Sequence, residues 1–173
     1  MKKPLFILMT STGLSAHAAD LTEAELVGKW KCLTEYPSIH TMILGETEYA
    51  ADHTSHGEDK ILTVVLDKDM SQTLTYRTTS TAKWTLDSDN TVRMVTQRDT
   101  VECDHQPLVQ AALKASSELQ QRDNNFIKIL QDKPENEADR TLTLQFERLP
   151  NGEFKVRQPD ISTMRSICRK LEA

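Results

Sequence analysis

Residues 60–101, KILTVVLDKDMSQTLTYRTTSTAKWTLDSDNTVRMVTQRDTV, decide the fold class. Ile61 to Leu66 is an apolar run closed by the polar turn Asp67-Lys68-Asp69. Gln72 to Thr79 is rich in threonine, with Leu74 and Tyr76 alternating against polar neighbours. Ala82 to Leu86 carries Trp84, and Asp87-Ser88-Asp89-Asn90 supplies short polar side chains that favour a turn by bonding to their own backbone. Thr91 to Val101 returns with Val92, Met94 and Thr96 on one face. Successive side chains of a strand point to opposite faces, so a period of two rich in β-branched and aromatic residues specifies strands. The connections are too short for crossovers, which leaves an antiparallel meander.

The pattern extends both ways. Upstream, Val27 to Thr34 alternates Lys29 and Lys31 with Trp30 and Cys32, and Pro37 ends that strand. Between Ile39 and Asp59 the signal is ambiguous: Thr41–Leu44 and Glu46–Thr54 each have strand character, broken by charges, Gly45 and Gly57. The acidic lead Asp20 to Glu25 suits a short helical turn. Downstream, Leu108, Ala112, Ala115, Leu119, Phe126 and Leu130 form a stripe of period near 3.6, predicting a helix near 107–130 opened by Pro107, with Asp123-Asn124-Asn125 as a point of break or kink. A polar linker, Asp132 to Asp139, precedes a last hairpin: Thr141–Phe146, a turn at Pro150–Glu153, and Phe154–Arg157. Ile161–Arg169 suits a closing strand. The expected fold is mainly β: an antiparallel meander β-barrel or strongly curled sheet with one inserted α-helix that plugs or lids one end or packs outside.

Lys2-Lys3, the apolar run Pro4–Leu14 and Ala16-His17-Ala18 have the order of a secretory signal peptide. Residues 1–18 are therefore expected to be removed, leaving residues 19–173 as a single domain in the periplasm or outside the cell. The apolar run is too short and too interrupted by Thr and Ser to span a bilayer, and no later stretch of about twenty apolar residues exists, so no stable membrane insertion is expected. The whole chain carries a net charge of −5; without Lys2 and Lys3 it has 19 basic against 26 acidic residues, or −7. With no basic cluster, nucleic acid is excluded as a partner. Glycine occurs only at 13, 28, 45, 57 and 152, so no dinucleotide fingerprint, phosphate loop or nucleophile elbow exists and no cofactor is expected. The three cysteines, Cys32, Cys103 and Cys168, contain no C-x-x-C, which removes thioredoxin-type and zinc-ribbon readings.

Gly28-Lys29-Trp30 resembles the G-x-W start of the lipocalin-like (calycin-type) barrels. The resemblance implies an up-and-down barrel whose tryptophan plugs the closed end, with an arginine of the last strand, Arg169 or alternatively Arg165, lying across it. Cys32 after Trp30 and Cys168 before Arg169 also look like a recurrent arrangement in small bacterial periplasmic domains of this kind, and Trp84 is similar to their second tryptophan strand. The T-D-Y motif of true lipocalins is absent. A buried strand tryptophan is a core residue in most proteins, and the resemblance does not by itself give a function. In a closed meander the first and last strands are neighbours, bringing Cα atoms within the ~4.4–6.8 Å a disulfide needs. Cys32–Cys168 is the expected bridge; Cys32–Cys103 competes if the strand ending at Val101 lies beside the first instead.

Two constellations carry candidate chemistry. Asp52, His53 and His56 offer donors suited to a divalent transition metal, provided a turn brings the two histidines together; a solvated loop is the plainer reading. Cys103-Asp104-His105 places thiol, carboxylate and imidazole side by side, the ingredients of a nucleophilic cysteine if a base raises the thiolate fraction. The leading functional expectation is a non-enzymatic binding domain for a small, apolar ligand. The alternative is a protein inhibitor or immunity-type binder that meets a basic secreted hydrolase or toxin through Glu46, Glu48, Glu58 and Asp59. An enzyme using Cys103 and His105 comes third.

Overall fold

The computed structural model describes residues 20–67, 70–87 and 89–172. The expected leader, residues 1–18, lies outside the described residues. Helix α1 (Glu23–Leu26) begins with a capping box: the Thr22 hydroxyl accepts from the Glu25 N–H (3.3 Å) and the Glu25 carboxylate accepts from the Thr22 N–H (3.0 Å). Strand β1 (Gly28–Tyr36) follows. Gly28 takes φ 126°, which other residues rarely adopt, and a Cβ there would lie 2.9 Å from the Lys170 side chain. The ambiguous stretch forms two paired strands, β2 (Thr41–Tyr49) and β3 (Thr54–Asp67). Strand β4 (Met70–Leu86) is continuous. The expected gap near Ser80-Thr81 does not form, because those residues carry no break signal and pair with both neighbouring strands. Asp89 and Asn90, both left-handed (φ 60° and 59°), turn the chain into β5 (Thr91–Cys103).

The predicted helix is two. Helix α2 (Pro107–Ala115) ends at Ser116, whose hydroxyl caps α3 (Ser117–Gln131) by accepting from the Leu119 N–H. The break therefore falls at Ser116 and not at Asp123–Asn125, since Asp123 is held inside α3 by buried partners. A short α4 (Glu137–Arg140) lies in the linker, and β6 (Thr141–Arg148), β7 (Phe154–Arg157) and β8 (Arg165–Lys170) complete the chain. Each strand pairs antiparallel with the next, and β8 pairs with β1, so the eight strands close a barrel in sequence order.

Strand phase assigns the faces. Trp30, Cys32 and Thr34 point inward, opposite Lys170, Cys168 and Ser166 of β8. Cys32 and Cys168 form the expected disulfide, with Cα atoms 4.1 Å apart, and Cys103 is free. At one end, Leu26, Trp30, Tyr49, Trp84, Val92, Phe146 and Phe154 fill the barrel. Trp30 Nε1–H donates to the Leu26 carbonyl (2.7 Å), and its ring meets Phe154 and Phe146 edge-on. At the other end, β3, β4 and β5 outreach the short strands β6–β8. Their inner residues Ile61, Leu74 and Tyr76 pack on Val109 of α2 and on Phe126 and Leu130 of α3. The helix pair is thus a lid over the projecting β3–β5 wall at that end of the barrel.

Arg169 does not lie on Trp30. It stands opposite Lys31 on the exposed outer face, because a residue next to the inward Cys168 must point outward. Other cations occupy the closed end. Arg148 lies over the Phe154 ring (4.7 Å) and pairs with Glu25 (2.7 Å), while Lys170 Nζ donates to the Glu25 carbonyl (2.7 Å).

Candidate functional site

Between the aromatic floor and the helical lid lies a cavity of about 760 Å³. Its lower wall is apolar, built from Met94, Leu142, Leu144, Phe146 and Val156 together with the disulfide. These are inward positions of β5, β6 and β7, fixed by the alternation that puts their neighbours in solvent. The upper wall is polar: Thr47, Asp59, Ser80, Thr96 and Arg98 face the space, and Tyr36, Arg140 and Gln158 border it. The end of α3 and the linker after it, Ile129 and residues 132–134, form the rim.

Asp59 is the unusual member. It sits inward on β3 opposite Gly45 of β2, where a Cβ would come within 2.5 Å of Asp59 Oδ1. Burial pushes its carboxyl up to about 6, against the opposing charge of Arg98. Among the described residues no hydrogen bond or ion pair reaches this carboxylate. Arg98, by contrast, has a partner: its Nη1 donates to the carbonyl of Leu130 in the last turn of α3 (2.7 Å). Thr78, paired with Asp59 across the ladder and 2% exposed, has an Oγ1 with no hydrogen-bond partner.

A second cluster lies under the lid. Cys103, His105 and Asp123 bring sulfur, nitrogen and oxygen donors within 4.8 Å of one another. A bulge makes this possible: Thr79 pairs with Thr100 but Ser80 with Arg98, so Asp99 is an extra residue. The inward positions of β5 thereby shift from Val92, Met94, Thr96 and Arg98 to Val101 and Cys103. His105 Nδ1 accepts the Thr75 N–H (3.0 Å), which leaves the proton of a neutral ring on Nε2, directed at Asp123 Oδ1 (3.1 Å). The Tyr76 hydroxyl donates to the same oxygen (2.6 Å). Neither ring nitrogen keeps a lone pair for a metal ion or for the proton of a thiol. Burial first, then the charge of Asp123, pushes the Cys103 thiol up, away from thiolate. The arrangement clasps α3 to β4; it is poorly built for nucleophilic or metal chemistry.

The remaining sequence candidates are dispersed. Asp52 accepts from the Thr54 N–H (3.0 Å) and hydroxyl (2.6 Å). His53, left-handed in the β2–β3 turn, stacks on Trp84 (4.6 Å) and stands 4.0 Å from Glu23. His56, on the outer face of β3, faces Glu58 at 3.8 Å. They do not gather: among the described residues, the Cys103 cluster is the one group of three or more such donors. The acidic candidates lie on strands instead of a loop. Glu46 pairs with Lys31 (2.7 Å) and Glu48 with Lys29 (3.6 Å). Asp59 faces the interior while Glu58 faces solvent, so the four carboxylates do not share one surface. Arg98, Arg140, Asp123 and Tyr76 escaped the sequence reading as site residues. The phase of Ile61 was the available signal for Asp59, because residues two apart on a strand share a face. No family model and no curated protein matches the chain.

Proposed function

We propose that this is a lipocalin-like, non-enzymatic binding domain, exported by residues 1–18, that holds one small and mostly apolar molecule inside its barrel. The carrying observation is the 760 Å³ cavity between the Trp30 floor and the α2–α3 lid. That volume falls within the roughly 300–1,000 Å³ typical of small-molecule sites, and an apolar wall with a few polar groups matches their usual lining. A filled barrel with protruding acidic loops would have favoured the protein-inhibitor alternative; the interior is hollow, and Glu46 and Glu48 are paired with lysines. The Cys103–His105 enzyme reading lacks a free base. Export is supported by the leader-like order of residues 1–18 and is compatible with the disulfide. Native mass spectrometry of the protein purified from its own compartment tests the proposal. One removable adduct per chain, on a chain beginning near Ala19, is expected. A ligand-free chain that also takes up no hydrophobic probe would refute it.

A further inference from the structure

We infer that the cavity is built for a hydrophobic amine, its ammonium held at Asp59 and its apolar body lying against Leu142, Leu144 and Val156. This rests on the reading of the barrel as a small-molecule site. Among the described residues, two charged side chains at inward strand positions line the cavity, Asp59 and Arg98, and they differ in how they are satisfied. Arg98 is bonded to the carbonyl of Leu130, at the negative end of the α3 dipole. Asp59 has no hydrogen bond or ion pair among the described residues, and its carboxylate opens on the cavity. Asp59 is partly exposed and is reached from the cavity, so a molecule that enters can supply the donor that the fold does not give this carboxylate.

The surroundings make room for the carboxylate itself, which packs against the bare backbone of Gly45. A Cβ at Gly45 would strike Asp59 Oδ1 at 2.5 Å, and one at Gly57 would lie 2.9 Å from Ser80 Oγ. Two inward strand positions beside Asp59 thus lack side chains, although glycine weakens a strand. Thr78, the register partner of Asp59, has a buried Oγ1 without a partner, and Thr47 and Ser80 line the cavity. The carboxylate can accept from the N–H donors of an ammonium, and the lining hydroxyls of Thr47 and Ser80 can accept from any that remain. At the rim, Asp132, Lys133 and Asp139 are exposed, whereas Arg140 lines the cavity with a buried Nε that has no hydrogen-bond partner, so an anion at Arg140 is the outcome that the octanoate arm of the test reads.

Calorimetric titration with octylammonium, octan-1-ol and octanoate at pH 7.5 tests the inference, because the three share one apolar body. Octylammonium is expected to bind at least tenfold more tightly than octanol, with octanoate weakest. In D59N the ratio of octylammonium to octanol affinity is expected to fall to near one. G45A, whose new methyl displaces the carboxylate, is expected to lower the same ratio. Both variants are first checked for native circular dichroism. Equal or tighter binding of octanoate, or an amine preference that survives D59N, overturns the inference while leaving the barrel reading standing. If none of the three ligands enters the native protein, both fall.

Discussion

Asp59 shows how one residue can report on the design of the interior. Its folded carboxyl holds a proton up to about 6, whereas the unfolded chain releases it near 3.8. The folded state thus binds the proton more tightly, and the ionised carboxylate costs stability above pH 6, a cost that disappears below about pH 4. The charged group acting on it is Arg98, which opposes the shift; the Tyr36 hydroxyl, pushed up by burial and by Asp59, stays neutral across this range. Without ligand, D59N should be more stable than the parent at pH 7.5 by up to about 3 kcal/mol, the gap closing between pH 6 and 4. Urea unfolding at pH 4, 5.5 and 7.5 measures this; a gap independent of pH would contradict it. Asp123 gives the opposite case. Removing it in D123A strands the Tyr76 hydroxyl and the His105 Nε2–H, for a cost of about 2–4 kcal/mol, whereas Y76F removes one donor and should cost about 1 kcal/mol. The reverse order in denaturant unfolding would show that the clasp is misassigned.

At the scale of elements, strand phase was the legible part. The alternation around Leu74, Tyr76, Trp84, Val92 and Met94 specifies inward faces, and the same rule turns Cys32 and Cys168 toward each other. It also turns Arg169 outward, so the resemblance that assigned it to Trp30 conflicted with a parity already readable from Cys168. The bulge at Asp99 was not legible, since an unpaired residue leaves no mark in composition; with it went the placing of Cys103 and His105 under α3. The helix break at Ser116 was hidden for a different reason: its cap lies within a continuous apolar stripe. The closing pair β1–β8 spans six residues on each strand, and the disulfide ties it across a separation of 136 residues. Removing the bond in C32S/C168S should cost about 2–5 kcal/mol, while C103S, which breaks no bond, should shift stability by less than about 1 kcal/mol. Denaturant unfolding of the two variants decides this. Near-parental stability of the double variant would mean that the ladder closes the barrel without help.

For the whole molecule, unequal strand lengths create the site. The long β3–β5 segment projects past the short β6–β8, α2 and α3 fold over its inner surface, and the space below stays unfilled. The barrel also carries apolar side chains outside: Leu33 lies between Leu44 and Ile167 across three adjacent strands, all exposed. An apolar molecule therefore has two candidate seats, inside or on this outer ladder. The most direct measurement is isotope-edited NMR of the methyl-labelled protein with the uncharged probe N-phenyl-1-naphthylamine. Intermolecular contacts to the methyls of Met94, Leu142, Leu144 and Val156 are the predicted result; contacts confined to Leu33, Leu44 and Ile167 would contradict a barrel that binds within.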